Sequence, residues 1–162
     1  MTATVTLRSE LRAGDIGHVV LRHGLLYALE QGWDHRFEAY VAGPLAAFAL
    51  QHDAQRERMW LAETGERIVG SIAIVSGEYD AAQLRWFLVE PDSRGMGVGR
   101  LLLDEALEFC RRSRRRRVYL WTVAGLDAAA HLYRRAGFVL SASEPSDRWG
   151  EAVVEERYDL EL

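Results

Sequence analysis

The sequence predicts an α/β fold in which helices flank a mixed β-sheet, and three observations carry that prediction. Apolar residues recur at three- and four-residue spacing before Arg58, where the period changes to two. After three consecutive strand-like segments, helix-like and strand-like segments alternate. With 162 residues, the chain can bury one sizeable core but hardly two, so we expect a single domain over residues 1–162.

The first fifty residues predict one strand and two helices. Alternating β-branched and apolar residues at 2–7 predict an opening strand. A helix is expected to run from Asp15, as its cap, to about Glu30, which brings His23 and Tyr27 together on one face.

The second helix is expected to start after Asp34. Pro44 should kink or break it, because the proline ring has no N–H to donate to the helical hydrogen bonds.

The remainder predicts a hairpin, a third strand and then alternating elements. A Gly-containing loop at 63–67 joins the first two of these strands. The strands are expected at residues 59–62, 68–75, 83–89, 118–122, 137–140 and 153–160. Helices are expected from apolar stripes at 98, 101, 102, 106, 109 and 110, and at 129, 132, 133 and 136. Gly137 should end the last helix as a left-handed cap.

Composition and charge exclude several classes of function. The net charge of -4 disfavours binding to nucleic acids or acidic membranes, which attract basic proteins. The arginine-rich run at 111–117 is either an anion-binding patch or, as we favour, the solvated end of a helix. Cys110 is the only cysteine, which excludes an intramolecular disulfide, and the histidines show no metal-ligand spacing, so we expect no metal.

The cellular location of the protein can also be predicted from the sequence. No apolar run reaches the roughly 18 residues of a membrane span, and the first residues lack the features of a signal peptide. We therefore expect a cytoplasmic protein with no membrane partner.

The strongest local signal is the glycine-rich segment 94–99, which separates a strand from an amphipathic helix. Gly95, Gly97 and Gly99 stand at alternate positions, so successive backbone N–H groups can point into one concavity that no Cβ obstructs. The start of the following helix adds its own amides and positive dipole end. The segment predicts a phosphate or pyrophosphate site, and its glycine spacing fits neither a P-loop nor a dinucleotide fingerprint.

Two segments in the expected order resemble signatures of the GCN5-related N-acetyltransferase family. Arg94-Gly95-Met96-Gly97-Val98-Gly99 resembles its coenzyme A motif, and residues 130–138, which include Tyr133 and end in Gly-Phe, resemble its second signature. The resemblance covers roughly residues 58–160 and implies a strongly twisted mixed sheet of about six to seven strands with about four helices. Residues 22–27 with 32–34 resemble a subgroup that is often fused behind MarR-type repressor domains.

The family resemblance implies a cofactor and a set of contacts. It implies acetyl-CoA as co-substrate, wedged where the fourth and fifth strands separate. Backbone groups of Phe87, Leu88 and Val89 would bind the pantetheine and polarise the thioester carbonyl. The loop Arg94, Gly95, Met96, Gly97, Val98 and Gly99, followed by Arg100, would hold the pyrophosphate.

The resemblance implies a catalytic role for Tyr133. This residue matches the tyrosine that protonates the departing thiolate, and a phenol with a reference pKa near 10 is protonated at neutral pH. On its own pattern Tyr133 could equally be a core aromatic residue, because it lies on an apolar stripe.

Two positions depart from the family pattern. Val123 stands where many relatives carry an asparagine that holds the cofactor, and Gln83 stands where histone-acetylating members carry a glutamate base. Amine deprotonation would then fall to water or to one of three candidates, His23, Tyr27 and Glu78.

The acceptor is expected to be a small amine. His23, Tyr27, Trp33 and Glu78 are the candidate substrate residues, although a lone histidine or tryptophan is as often a packing residue. The implied function is acetyl transfer to the primary amine of a small molecule or amino acid. The alternative acceptor is a protein lysine or an N-terminal amine. The alternative to an enzyme is a catalytically silent acyl-CoA-binding module. Because members of the family often dimerise, a homodimer stays open.

Overall fold

The computed structural model describes residues 3–162 and contains four α-helices and seven β-strands. The helices are α1 (Asp15–Gln31), α2 (His35–Gln51), α3 (Val98–Arg112) and α4 (Asp127–Ala136). The strands are β1 (Val5–Arg8), β2 (Arg58–Thr64), β3 (Arg67–Ser76), β4 (Ala82–Val89), β5 (Arg117–Val123), β6 (Val139–Ser146) and β7 (Val153–Glu161). The predicted α/β class is confirmed.

The seven strands form one mixed sheet with the order β1-β2-β3-β4-β5-β7-β6. The four strands from β1 to β4 pair antiparallel with their neighbours, as β6 does with β7, whereas β4 and β5 run parallel. Contacts divide the chain into two compact units, and β5 contributes its first part, up to Leu120, to one of them and its last residues to the other.

The first unit contains the antiparallel meander and α3. Its hairpin is tighter than expected, since Thr64 pairs with Arg67 across the two residues Gly65 and Glu66. Almost all of β3 is buried, and α3 packs on it. Gly70 permits this approach, because a Cβ there would lie 3.0 Å from the Leu102 side chain.

The second unit contains the helical pair and the later strands. α2 starts directly after Asp34 as predicted, and the Asp34 carboxylate caps the helix by accepting a hydrogen bond from the Arg36 amide at 3.0 Å. Asp15, in contrast, does not cap α1, because Gly14 with φ 93° occupies that position. The Asp15 carboxylate instead accepts a hydrogen bond from the Arg12 amide at 2.6 Å, which fixes the turn before the helix.

The predicted break at Pro44 is wrong, because α2 continues through it to Gln51. Pro44 lacks one helical N–H, but Gly43 before it has no Cβ to clash with the proline ring. Buried apolar side chains on both sides of the proline hold the helix together, namely Phe37, Val41, Leu45 and Phe48.

Other boundaries moved by a few residues. The opening strand begins at Val5, and the Thr2 end of the prediction lies outside the described residues. The strand predicted at 137–140 begins only at Val139, because Gly137, with φ 103°, is the predicted left-handed cap of α4. Leu101, which was predicted to be buried, is 40% exposed. The other residues of the predicted apolar stripe of α3 are buried, together with Leu103 and Leu107. In α4 only Tyr133 is buried.

The arginine run at 111–117 is not uniformly solvated. Arg111 and Arg112 lie on the exposed end of α3 as expected, each beside a glutamate of the same helix. The Arg115 side chain is fully buried and donates hydrogen bonds to the Arg56 and Asp80 carbonyls and to the Ser76 hydroxyl. Its guanidinium therefore ties the β3–β4 turn to the segment before β2.

In residues 3–162, none of the helices combines the length and the hydropathy that crossing a bilayer requires.

Candidate active site

Two of the three glycines in the glycine-rich loop adopt backbone conformations that favour glycine. Gly95 and Gly97 adopt left-handed backbone conformations, with φ 75° and 83°, and α3 begins at the next residue, Val98. A Cβ on either glycine would meet nothing within 4 Å, so the loop needs glycine for its conformation and not for lack of room. The third glycine, Gly99, lies inside the first turn of α3.

Arg94 closes the other end of this loop. Its Nε donates to the Val89 carbonyl at 3.1 Å, so the loop is fastened to the end of β4. Met96 is 57% exposed, and Arg100 lies on the exposed side of α3 with its Nε 3.7 Å from Asp104. The first-turn amides of α3 and the exposed loop backbone can therefore meet an anion.

A β-bulge interrupts β4 at the position where backbone contacts are expected. Ser71 faces Leu88 and Ala73 faces Arg85, so two residues, Trp86 and Phe87, stand opposite one. Trp86 has φ 51°, and its carbonyl accepts a hydrogen bond from the buried Ser71 hydroxyl at 2.7 Å. A bulge re-aims the strand and changes the direction of its backbone groups.

The parallel ladder between β4 and β5 joins Ala82 with Val118 and Gln83 with Tyr119, at the first residues of β4. The Tyr119 hydroxyl donates to Gln83 at 3.4 Å and accepts from the Glu78 amide at 3.2 Å. Glu78 lies in the β3–β4 turn of the first unit, whereas His23, Tyr27 and Trp33 belong to the second unit.

Tyr133 is buried in the second unit among other aromatic residues. Its ring centroid lies 5.8 Å from Phe138 and 5.9 Å from Tyr158. Burial raises the pKa of Tyr133 far above its ordinary value, and nearby Tyr27 and Tyr158 raise the pKa further. The hydroxyl therefore remains protonated at any working pH.

Tyr27 and Trp33 join a larger group that we call the aromatic cluster: Tyr27, Trp33, Phe37, Tyr40 and Trp149. The Trp33 ring lies 4.9 Å from Tyr27 and 4.6 Å from Trp149. Trp33 is 4% exposed, and its Nε1 has no hydrogen-bond partner within residues 3–162. A buried N–H without a hydrogen-bond partner lowers the stability of a protein by about 1–3 kcal/mol, unless a bound molecule supplies the acceptor.

His23 lies on the buried face of α1, and its ring stacks on Tyr27 at 6.2 Å. The Nδ1 atom lies 2.8 Å from the Val19 carbonyl oxygen, which can only accept a hydrogen bond. Nδ1 therefore carries the proton, and Nε2 is the basic nitrogen of the neutral ring.

Three contributors were missed by sequence reasoning. Trp149 and Arg148 lie in the turn between β6 and β7. The Arg148 guanidinium lies over the rings of Tyr40 and Trp149, 4.6 and 4.5 Å from their centroids. It also forms an ion pair with Glu155 at 2.6 Å. The bulge at Trp86 was also missed. In the sequence, an aromatic residue between an arginine and a glycine at 148–150 could have indicated that this turn takes part in the site. Nothing in the sequence indicated the bulge.

Comparison with known proteins identifies the family. Residues 16–138 match the model of the Acetyltransferase (GNAT) family, which is well over half of the chain. The chain belongs to that family. The match runs from α1 to the end of the second predicted signature, so it includes the glycine loop and Tyr133.

Part of the chain is similar in sequence to a curated relative, and its fold is similar to that of solved acetyltransferases. An uncharacterized N-acetyltransferase of Methanocaldococcus jannaschii is 36% identical over 59 residues, which are 36% of this chain and 26% of that protein. The matched segment thus spans about a quarter of that relative's length. An acetyltransferase structure from Streptococcus agalactiae 2603 superposes with a TM-score of 0.79 at 21% identity, over 98% of each chain. A structure from Salmonella typhimurium with its cofactor acetyl-CoA gives 0.73 at 18% identity, over 98% of this chain and 94% of that one.

Proposed function

We propose that this protein is an acetyl-CoA-dependent N-acetyltransferase that acts on the primary amine of a small molecule or amino acid. The observation that carries the proposal is the loop at 94–99, whose two left-handed glycines lead into the amides of α3. In a member of this family, such an anion cradle suits the pyrophosphate of coenzyme A.

The cofactor residues are proposed as a continuous run of backbone along the first unit. Amides of Gly95, Gly97 and Gly99 would hold the phosphates, with Arg94, Met96, Val98 and Arg100 forming the rest of the cradle. The bulge at Trp86 supports a role for the backbone of Phe87, Leu88 and Val89, because it changes the direction of those groups. When bound, acetyl-CoA supplies an acetyl group activated as a thioester.

Tyr133 is proposed to assist the departing sulfur. Burial raises the pKa of Tyr133, so its phenol is protonated and can donate to the departing thiolate. The raised pKa favours a hydroxyl that donates a hydrogen bond to the developing thiolate and remains protonated until the sulfur carries most of its charge.

The aromatic cluster is proposed to enclose the acceptor. Trp33 Nε1 is a buried donor that an oxygen of the acceptor would satisfy. His23 Nε2 is the proposed base for the incoming ammonium, since it lies in the same unit as Tyr27 and Tyr133, whereas Glu78 lies in the β3–β4 turn. The likeness of residues 22–27 and 32–34 to the subgroup fused to MarR-type regulators stays a prediction.

A second candidate function is an acyl-CoA-binding module without turnover. Val123 is buried at the end of β5, where it offers no polar side chain to the cofactor, and Gln83 accepts a hydrogen bond from Tyr119. Neither residue can act as a base. A protein lysine or N-terminal amine stays the alternative acceptor.

The test is calorimetric titration with acetyl-CoA, followed by thiol release against a panel of small amines, amino acids and peptides. Saturable binding together with thiol release for a small amine supports the proposed function. Binding without release for any amine supports the silent module, and absence of binding contradicts the cradle itself.

A further inference from the structure

The Arg148 side chain lies at the surface of the second unit, but several contacts fix its position. Its guanidinium lies over the rings of Tyr40 and Trp149, both of which belong to the aromatic cluster. Its Nη2 donates to the Glu155 carboxylate at 2.6 Å, and the Glu155 side chain is only 12% exposed. A guanidinium held in this way loses little conformational freedom when it binds a ligand.

The turn that carries Arg148 is fastened to the segment between α1 and α2. The Asp34 amide donates to the Trp149 carbonyl at 2.9 Å. Gly150 has φ 96°, and a Cβ there would lie 2.6 Å from the Asp34 carboxylate, so this close approach requires glycine. The contact keeps Trp149 against Trp33, and Arg148 therefore has a fixed place beside the aromatic cluster.

Part of the Arg148 guanidinium is available to a ligand. The side chain is 46% exposed, and within residues 3–162 the guanidinium donates one hydrogen bond, from Nη2 to Glu155. An arginine side chain carries five N–H donors, so Nε and Nη1 can still donate. Two adjacent N–H groups of a guanidinium match the two oxygens of a carboxylate.

Trp33 supplies a second donor near the same place. Its buried Nε1 has no hydrogen-bond partner in the part of the chain that the structure describes. Trp149 adjoins both donors, since its ring lies 4.6 Å from the Trp33 ring and 4.5 Å from the Arg148 guanidinium carbon. A molecule bound against Trp149 would therefore be recognised by its oxygen atoms.

We propose that Arg148 selects acceptors that carry a carboxylate in addition to the amine, by donating hydrogen bonds to that carboxylate. This selectivity rests on the proposed function, because it concerns the acceptor that the aromatic cluster encloses. His23, the proposed base, meets the cluster at Tyr27, whereas Arg148 meets it at Tyr40 and Trp149. An acceptor that lies along the cluster would place its amine toward His23 and its carboxylate toward Arg148.

The charges around the turn favour an acidic group over a second ammonium group. The carboxylates that contact Arg148 and Gly150 are already paired, Glu155 with Arg148 and Asp34 with Arg36 at 2.7 Å. An ammonium group would have to displace one of the two guanidinium groups to reach them. A carboxylate, in contrast, can use the N–H groups of Arg148 that remain.

The experiment compares amines that differ by one carboxylate: phenylalanine with phenethylamine, and ε-aminocaproate with hexylamine. Thiol release at saturating acetyl-CoA gives kcat/KM for each member, and the parent protein should prefer the acidic one. In Arg148→Gln that preference should fall about tenfold, the lower end for a hydrogen bond to a charged group, because the side chain is half-exposed. Arg148→Lys keeps the charge and should retain part of the preference.

Arg12→Gln is the matched control. Arg12 is exposed in the same unit, before the start of α1, and the 17 residues of that helix, about 25 Å, separate it from the segment that contains Trp33. Its preference should equal that of the parent. Equal use of both members of each pair by the parent would overturn the proposal. So would an equal loss of both activities in Arg148→Gln, or a gain of activity toward putrescine in that variant.

A binding measurement separates this selectivity from the proposed activity. Hydrocinnamate carries a carboxylate but no amine, and its effect on tryptophan fluorescence gives a Kd without turnover. That Kd should rise about tenfold in Arg148→Gln and stay unchanged in Arg12→Gln. If no amine releases thiol while this difference holds, the carboxylate site is supported and the proposed activity fails. If amines are acetylated but hydrocinnamate binds the parent and Arg148→Gln equally, the carboxylate site fails and the activity is supported.

Discussion

The glycine loop at 94–99 and the aromatic cluster around Trp33 are built by opposite means. The loop is six consecutive residues, and its proposed function depends on the backbone conformation of two glycines. The cluster combines side chains from α1, α2, the segment between them and the β6–β7 turn. A contiguous backbone site can be recognised in a sequence, whereas a site assembled from distant side chains needs the fold.

The difference has a functional counterpart under the proposed mechanism. Changes in the loop should affect cofactor affinity and leave the chemical step intact. Changes around Tyr133 and Trp33 should affect turnover or acceptor binding and leave cofactor affinity intact. The following variants test that separation.

The largest effect is expected for Tyr133→Phe, which removes one hydroxyl and keeps the buried ring. We expect kcat to fall by about 10²–10⁴-fold, the range for general acid–base groups, with an unchanged Kd for acetyl-CoA. Thiol release and calorimetry measure the two quantities. Tyr79→Phe is the control, since Tyr79 is 91% exposed in the β3–β4 turn and should behave like the parent.

The pH profile extends this test. Because burial raises the Tyr133 pKa, the parent enzyme should show no alkaline loss of activity from this group up to about pH 10. An alkaline limb that Tyr133→Phe abolishes would contradict a strongly raised pKa.

A smaller effect is expected for Gly97→Ala in the loop. A side chain at φ 83° costs about 1–2 kcal/mol, so we expect acetyl-CoA affinity to fall about tenfold with little change in kcat at saturation. Calorimetric titration measures the affinity. Gly17→Ala, at an open helical position, is the control, and an equal loss of affinity there would show a general effect of the methyl group.

The third variant, Trp33→Phe, removes the buried Nε1 donor and keeps an aromatic ring. We expect the KM for the acceptor to rise about three- to tenfold, the value of one hydrogen bond, with unchanged acetyl-CoA affinity. Steady-state kinetics with the best amine of the panel measure KM. Trp60→Phe is the control for ring size, because Trp60 packs on Phe109 in the first unit. An unchanged acceptor KM would exclude a hydrogen bond from Trp33.

The smallest effect concerns stability at low pH. The hydrogen bond and ion pair with Arg36 lower the pKa of Asp34 from 3.8 to about 2. The charged cap therefore stabilises α2 fully above about pH 4, and this stabilisation is lost as the pH falls toward 2. In Asp34→Asn, a neutral residue that can still cap, melting temperature should fall less over this window. Parallel curves for the two proteins would contradict the prediction.

Much of the fold could be predicted from the sequence, because it depends on interactions between residues that are close together in the chain. The change of period at Arg58, the Gly65 hairpin and the Gly137 cap each depend on a few neighbouring residues. The break predicted at Pro44 is absent for the opposite reason, since buried residues on both sides of it outweigh one missing hydrogen bond. Arg115 was misjudged because its partners at 56, 76 and 80 are distant in sequence.

The family, the α/β class and the glycine loop could be predicted from the chain alone, because backbone conformations at glycine and the periods of helices and strands depend on adjacent residues. Which side chains meet depends on the folded arrangement. It brought Trp149 to Trp33, gave Trp86 its bulge and buried Tyr133, which raises the pKa of that residue. Those properties arise from burial and from contacts between distant segments, and both exist only once the chain has folded.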